Sequence, residues 1–305
     1  MKQQLPEGVV LLERGWLSSN NVLICGRHRC ALVDSGYATH AAQTQALVEA
    51  ALQGRPLDLL LNTHLHSDHC GGNATLQQRF PALTTLIPPG QARFVSPWDP
   101  QALSYLPTGQ ICPRFVYNDV LQPGSETVLG DTLWQIHAAP GHDPNSVILF
   151  EPVSRLLLSA DALWGNGFGV IFPELDGDDA FAEVADTLDL IESLSPRLVI
   201  PGHGPLFDDV EDAIVRARRR LDSFVADPVR HLRYAAKVMV KFKLLDAQSV
   251  SGDTLLAWAR SADLLVRLHQ ADPGSALFAD WLAALVDELA RGGAALRVGQ
   301  QILNS

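Results

Sequence analysis

Residues 64–69, His-Leu-His-Ser-Asp-His, place three imidazoles and one carboxylate within six consecutive positions. Imidazole and carboxylate are ligands that suit zinc, iron, manganese or cobalt. In an extended or turning loop, residues at i and i+2 point the same way, so His64 and His66 can bind one ion. Asp68 and His69 can then face a second ion. Because four such groups would repel one another and stay partly desolvated without a metal, the cluster favours a metal site.

A catalytic metal needs about three protein ligands and an open position, so both pairs require ligands from elsewhere in the chain. Three further candidates each follow a short apolar run. His142 and His203 come directly after Pro-Gly, and Asp161 ends a run itself. Small, turn-forming neighbours let the backbone bring an imidazole close to a crowded metal centre. A single histidine near a turn is more often solvated or a cap, and it is the cluster at 64–69 that favours the ligand interpretation.

Apolar patterning indicates which elements position these residues. The predicted strands are 9–12, 22–25, 31–34, 57–62, 126–129, 133–137, 147–150, 156–159 and 198–200. The predicted helices are 39–53, 74–80, 178–193, 209–225, 231–245, 254–269 and 277–291, with a hairpin over 294–302. The candidate ligands follow strands, where catalytic loops commonly lie. We predict a catalytic domain over 1–207 and a mainly helical domain over 208–305.

Composition limits the class of partner. The net charge of the 305 residues is −11, and residues 1–207 carry it all, with 10 Lys and Arg against 21 Asp and Glu. This acidity argues against a nucleic-acid or anionic-membrane partner. The sequence shows no apolar leader and no bilayer-length apolar stretch, which predicts a cytoplasmic enzyme. Four cysteines without Cys-x-x-Cys spacing predict reduced thiols.

The ordered set formed by 64–69, Pro-Gly-His142, Ser-Ala-Asp161 and Pro-Gly-His203 resembles the metallo-β-lactamase superfamily over about residues 8–207. The resemblance implies an α+β fold, the αββα sandwich, with the site at one edge. The C-terminal helical extension looks similar to the winged-helix-like tail of some members. Carried over residue by residue, the family pattern gives one ion to His64, His66 and His142, a second to Asp68, His69 and His203, and Asp161 as a bridge between them.

The same resemblance implies a chemistry. The cofactors would be two divalent ions, zinc first, with iron and manganese as alternatives, and a metal-bridging hydroxide would cleave an ester, thioester or lactone bond of a small-molecule substrate. Two cations lower the pKa of a shared water from ~15.7 towards ~7 and stabilise a developing oxyanion. Asp68 could take up a proton on its way to the leaving group, so Asp68 and Asp161 are the candidate catalytic carboxylates. A homodimer through the C-terminal helices stays open.

Within the superfamily, the sequence weighs against several specific activities. Asp161 argues against a true β-lactamase, because those enzymes generally lack the bridging carboxylate. His66 argues against a flavodiiron reductase, which carries Glu there and adds a flavodoxin domain. Pro-Gly-His203-Gly differs from the acidic residue and Tyr that commonly follow this histidine in glyoxalase II-type enzymes. Ala162-Leu163-Trp164 lacks the Tyr that acyl-homoserine lactonases often place there.

Three alternatives remain beside the hydrolase. A nuclease is suggested by nine basic residues, although a solvated helix face is the favoured interpretation: Arg216, Arg218, Arg219, Arg220, Arg230, Arg233, Lys237, Lys241 and Lys243. A mononuclear iron oxidoreductase of the persulfide dioxygenase kind would use His64, His142 and Asp161. A non-enzymatic regulator would keep the fold without turnover. The complete ligand set argues against the last two.

Four residues outside the ligand set are weaker candidates. Asp34 ends an early predicted strand and is a candidate to orient a ligand histidine through a hydrogen bond. Trp98, Tyr105 and Trp164 are candidate pocket residues, for which a core or surface role is the favoured interpretation. We therefore expect at most a subset of them near the metal site.

Overall fold

Two β-sheets carry the predicted site residues in the computed structural model, which describes residues 4–274 and 277–305. The first sheet has six strands in chain order: β1 (Val9–Leu12), β2 (Asn21–Cys25), β3 (Cys30–Val33), β4 (Leu59–Leu61), β5 (Thr84–Ile87) and β6 (Asp119–Val120). The second has five strands: β7 (Glu126–Leu129), β8 (Thr132–Ala138), β9 (Val147–Glu151), β10 (Leu156–Ala160) and β11 (Leu198–Pro201). Their order across the second sheet is β11-β10-β9-β8-β7.

The core lies between the two sheets. Val33 and Leu61 of the first sheet share one cluster of buried side chains with Ile136 and Leu158 of the second. Strands β9 and β10 are buried at every position, so both of their faces are covered, as continuous apolar runs predict. Burial of this apolar surface, at ~25 cal/mol per Å², is the main force that holds the sandwich together.

Parallel pairing brings the carboxyl ends of key strands to the same edge of each sheet. β3 runs parallel to β4 with Val33 opposite Leu61, and β10 runs parallel to β11 with Leu158 opposite Ile200. The residues that follow these strands include Asp34, the 64–69 segment, Asp161 and His203. The sheet topology therefore gathers residues that lie far apart in sequence.

Helices pack on the first sheet and make up most of the C-terminal part of the chain. They are α1 (Ala41–Leu52), α2 (Ser67–Cys70), α3 (Asn73–Arg79), α4 (Ala92–Val95), α5 (Tyr105–Thr108), α6 (Phe172–Leu175), α7 (Ala180–Leu194), α8 (Val210–Ala226), α9 (Pro228–Ala247), α10 (Gly252–Ser261), α11 (Asp263–Ala271) and α12 (Phe278–Arg291). Val48 and Leu52 of α1 and Leu76 of α3 pack with Leu32 and Leu60 on the outer face of the first sheet. This packing gives the helix-on-sheet layer that an αββα sandwich requires.

The chain divides into two compact units. One runs to Leu103 and continues from Ile111 to Leu221, and the other comprises Ser104–Gln110 and the chain from Asp222 onward. The boundary predicted at residue 207 thus falls inside the first unit, and separate folding of 1–207 and 208–305 stays a prediction. Among the described residues, no helix has the length and apolar character needed to cross a membrane.

The second unit combines helices with a small sheet formed by β12 (Ser249–Ser251), β13 (Ala295–Val298) and β14 (Gln301–Asn304). Its strand order is β12-β14-β13, and β13 and β14 form the hairpin predicted near the C-terminus. β12 lies between α9 and α10 in the chain and pairs with β14, the last strand of the hairpin. The mainly helical character of this region is as expected, and its likeness to a winged helix stays a prediction.

Two sequence predictions need correction. The helix predicted over 254–269 is broken at Ala262, whose extended backbone separates α10 from α11; no Gly or Pro marks that position. The prediction of reduced cysteines is wrong for one pair, since Cys25 and Cys30 are disulfide-bonded. These two residues lie opposite each other in the antiparallel β2–β3 ladder, a pairing that their spacing alone does not reveal.

Candidate metal centre

The seven predicted ligands come from four separate stretches of chain that meet at the sheet edge. His64 lies in a bend after β4, His66 is extended, and α2, a single helical turn, then carries Asp68 and His69. The other three lie in the loops after β8, β10 and β11: His142, Asp161 and His203. The loop conformation predicted for 64–69 therefore holds only as far as His66, because the chain becomes helical at Ser67.

One group of three imidazoles forms at this edge. The Nδ1 atom of His66 lies 3.1 Å from Nε2 of His64 and 2.8 Å from Nε2 of His142. In a tetrahedral zinc site with Zn–N bonds near 2.05 Å, ligand nitrogens are ~3.3 Å apart. The group therefore has nearly the spacing of ligands around one ion.

A second group combines one carboxylate with two imidazoles. Oδ2 of Asp68 lies 3.1 Å from Nε2 of His203, and one ligand atom each from Asp68, His69 and His203 all fall within 4.8 Å of one another. Nε2 of His69 and Nδ1 of His203 are buried and have no hydrogen-bond partner within the described part of the chain. A buried unpaired imidazole nitrogen is costly, and a cation would satisfy the one at His69.

Asp161 lies between the two groups and faces both. Its Oδ2 is 3.4 Å from Nε2 of His142 in the first group, and its Oδ1 is 3.4 Å from Nε2 of His69 in the second. Oδ1 is also 3.8 Å from Nε2 of His203. The carboxylate thus offers one oxygen to each group, which is the placement that the predicted bridge requires.

Hydrogen bonds behind the site fix which nitrogen each imidazole presents. Nδ1 of His69 donates to Oδ2 of Asp34 at 2.7 Å, and Nδ1 of His142 donates to the carbonyl of Val170 at 2.5 Å. Both rings therefore present Nε2 to the site, and this is the nitrogen that a metal would bind once it has lost its proton. Asp34, the suggested orienting carboxylate, is itself buried and held by the backbone N–H and the hydroxyl of Thr63.

The donor set fits divalent metal ions. Imidazole nitrogens and carboxylate oxygens from seven residues converge here, and five of the seven side chains are buried. The ligand roles of the individual residues stay predictions that metal analysis of variants can test.

A family model for the metallo-β-lactamase superfamily matches residues 14–203, which is more than half of the chain and includes every predicted ligand. The chain belongs to the metallo-β-lactamase superfamily. The predicted αββα fold is likewise confirmed, since solved structures of that superfamily superpose on it.

Similarity to individual superfamily members is low. The type A flavoprotein fprA of Rhodobacter capsulatus is 26% identical over 238 residues, which is 72% of this chain and 52% of the flavoprotein. A hydroxyacylglutathione hydrolase of Thermosynechococcus vestitus is 28% identical over 148 residues, 48% of this chain and 49% of that enzyme. The chain thus spans about half the length of these curated relatives.

Among solved structures, a β-lactamase domain protein from Burkholderia ambifaria superposes with a TM-score of 0.59 at 19% identity, covering 99% of this chain and 94% of that chain. A metallo-β-lactamase family protein from Thermus thermophilus gives a TM-score of 0.58 at 18% identity, covering 99% of this chain and 100% of that chain. At this identity the likeness shows the shared fold alone.

Within this superfamily site, three aromatic side chains border the ligands. The indole of Trp16 stacks on the His203 imidazole with centroids 5.6 Å apart and an interplanar angle of 7°, and Trp164 meets Trp16 edge-on at 5.3 Å. Phe172 lies 5.1 Å from His66 on the side of the first group. Trp16 is 54% exposed, so an apolar ring stands open to solvent beside a polar site.

The sequence patterns did not predict several residues that lie at the site. Asn20 donates its side-chain N–H groups to the carbonyls of Pro201 and Gly204, which holds the loop that bears His203. Asp143 is buried with an oxygen 3.6 Å from Nε2 of His66. Asp143 could have been singled out, because it directly follows a predicted ligand; Trp16 and Asn20 precede β2 in an unremarkable turn, and only the fold brings them to the site.

Replacing Asp34 by Asn tests the orienting role of that carboxylate. The amide keeps the shape but loses the charge that holds the Nδ1 proton of His69, so we expect affinity for the ion of the second group to fall about 10- to 100-fold. A chelator competition titration measures this. Asp58→Asn is the matched control, since Asp58 accepts a backbone N–H at the amino-terminal end of β3. Equal metal affinity in both variants and the parent would rule the role out.

If each group holds an ion, acidification should release the ion of the second group before that of the first. Burial lowers the pKa of His66 and of His142 to about 4, so these ligands take up protons only as the pH falls to that value. Burial also lowers the pKa of His69, but the carboxylates of Asp34 and Asp161 outweigh it and raise the pKa well above its ordinary value. A proton therefore competes with metal at His69 from a higher pH.

Metal content after dialysis at stepwise lower pH should accordingly pass through a plateau near one ion per chain. His203→Ala should keep this acid-resistant ion and His142→Ala should lose it. Release of both ions in a single step, or an acid-resistant ion in His142→Ala, would show that the order is wrong.

Proposed function

We propose that this chain is a dinuclear metal-dependent hydrolase that cleaves an ester, thioester or lactone bond of a small molecule. The observation that carries the proposal is the position of Asp161, whose two oxygens face separate groups of ligands. A site for a single ion has no use for the second group, so this placement favours two ions over a mononuclear iron centre.

The metal ions would be held by the two groups described above, with zinc as the first expectation. When bound, they would supply a hydroxide nucleophile at neutral pH and polarise the carbonyl oxygen of the substrate. The protein's contribution is to fix the ligands: Asp34 and the Val170 carbonyl hold two imidazoles in the correct tautomer. Trp164 donates its indole N–H to Oδ1 of Asp161 at 3.2 Å and restrains the orientation of that carboxylate.

Asp68 is suited to the ligand role. Burial raises its pKa, but the hydrogen bond from His203 and the charge of His69 outweigh this and lower the pKa overall. The carboxylate is therefore ionised at neutral pH, as a ligand must be. Uptake of a proton by Asp68 during turnover stays a hypothesis.

The similarity to a hydroxyacylglutathione hydrolase, 28% identical over 48% of this chain, supports thioesters as a substrate class. The nuclease alternative is less well supported, because most of the nine basic residues form ion pairs with acidic residues of this chain. Arg218 pairs with Asp189 and Glu192. Further ion pairs join Arg216 to Asp209, Arg233 to Asp272 and Glu288, Lys237 to Glu288, and Lys243 to Asp246.

The proposal is tested by assaying metal-loaded protein on matched thioesters, oxoesters, lactones and phosphodiesters, with chelator-treated protein as the blank. Metal-dependent turnover of the first three classes and not the last is the expected result. Metal-dependent cleavage of phosphodiesters alone would replace the proposal with a nuclease.

The exposed face of Trp16 should bind an apolar, planar part of the substrate. We expect Trp16→Ala to lower kcat/KM for aryl esters about 3- to 10-fold more than for acetyl esters, because one aromatic contact contributes ~0.5–1.5 kcal/mol. Trp16→Phe should restore most of the difference. Trp98→Phe is the control, since Trp98 packs against Phe115. Equal losses for both ester types in Trp16→Ala would remove Trp16 from substrate recognition.

A further inference from the structure

Two reduced cysteines meet directly behind the metal-binding segment. Cys70 ends α2 one residue after His69, and its Sγ lies 3.7 Å from Sγ of Cys112. Cys70 is buried, whereas Cys112 is partly exposed in a stretch without regular secondary structure. They differ from Cys25 and Cys30, which are already bonded.

We propose that Cys70 and Cys112 form an oxidative modification site, at which peroxide converts the thiol pair to a disulfide and thereby alters the metal-binding segment. A disulfide has an S–S length near 2.05 Å, so the two sulfurs must approach by about 1.7 Å. Residues 111–117 form no strand or helix. The side chains of Tyr37 and Gln77 accept from the amides of Ile111 and Val116, so the movement must come from the residues between these two positions.

Movement of Cys70 would reach the predicted ligands through the backbone. Its Sγ contacts the carbonyl oxygens of Leu65 and His66 at 3.5 and 3.3 Å. The amide N–H of Cys70 also donates to the His66 carbonyl and closes the helical turn that carries Asp68 and His69. When the Cys70 side chain moves towards Cys112, its Sγ loses contact with the carbonyls of Leu65 and His66. The 64–69 segment therefore loses contacts that hold its predicted ligands in place.

Hydrogen peroxide is the oxidant in the proposed reaction, which has two steps. The more exposed thiol of Cys112 attacks one peroxide oxygen, which forms a sulfenic acid and releases water. The Cys70 thiol then attacks the sulfenic sulfur, the S–S bond forms, and a second water leaves. Overall, two thiols are oxidised, one peroxide is reduced, and two waters are produced.

The test treats zinc-loaded protein with a small excess of hydrogen peroxide, quenches it, and maps peptides by mass spectrometry without reduction. We expect a Cys70–Cys112 cross-link together with loss of bound zinc, both reversed by a thiol reductant. Cys112→Ser should retain its zinc under the same treatment. A Cys25→Ser/Cys30→Ser variant, as matched control, should respond like the parent.

Turnover adds a further readout, and it alone rests on the proposed hydrolase function. Ester hydrolysis should fall more than tenfold on oxidation and recover with the reductant. Because cross-linking and zinc content are measured without substrate, failure to find any hydrolysis leaves the test intact. Cys112 oxidised without a cross-link, or a cross-link that changes neither zinc content nor turnover, would overturn the proposal.

Discussion

Asp161→Ala should leave at most one metal ion per chain and reduce metal-dependent turnover by about 10³-fold or more. The carboxylate faces His142 with one oxygen and His69 with the other, so its removal takes a ligand from both groups. A bound metal contributes several kcal/mol of charge stabilisation to the transition state, and each 1.36 kcal/mol is worth tenfold in rate, which gives this magnitude.

Elemental analysis and ester hydrolysis of the purified variant measure both effects. Asp178→Ala is the matched control, because it removes an exposed carboxylate from the loop that precedes α7. The control should keep the parent's metal content and turnover. If Asp161→Ala kept both as well, the bridge would be excluded and the dinuclear site with it.

Gly169→Ala should lower turnover at least about 100-fold, although glycine has no side chain that could bind a metal or substrate. A methyl group at this position would lie 2.7 Å from Cε1 and 2.9 Å from Cγ of His142, closer than carbon atoms approach in proteins. The imidazole must then shift from its place beside His64 and His66, and a displacement of about 1 Å at a reacting centre can cost 10²-fold.

Gly165→Ala provides the matched control in the same loop. A methyl group there would meet only the Phe207 ring, at 3.6 Å, which is an ordinary contact. We expect the control to retain activity and the Gly169→Ala protein to unfold cooperatively but to bind less metal. A Gly169→Ala enzyme with normal metal content and turnover would mean that His142 is not held in this position.

The convergence of the seven candidate ligands could be predicted because its signals are local. The 64–69 segment is a compact string of ligand types, and each remaining ligand follows an apolar strand. β10 and β11 are parallel neighbours, and β8 runs in the same direction because both β8 and β10 pair antiparallel with β9, so their carboxyl ends share one edge. The family match over 14–203 agrees with the superfamily inferred from this order. Asp34 was recognisable for the same reason, since it too ends a strand.

The features that escaped prediction depend on long-range packing or on short elements. Trp16 and Asn20 gain their roles only when the turn before β2 meets the loop after β11. The break at Ala262 has no sequence marker, because the residue that ends α10 in extended conformation is a buried alanine rather than Gly or Pro. The Cys25–Cys30 bond depends on strand register, which the spacing of two cysteines does not specify.

Metal content per chain tests the central claim most directly. Protein purified without chelator should contain close to two zinc, manganese or iron ions per chain by inductively coupled plasma mass spectrometry, and Asp161→Ala should contain at most one. A single iron in the parent, with no second ion taken up after supplementation with zinc or manganese, would contradict the dinuclear hydrolase and place the mononuclear oxidoreductase first.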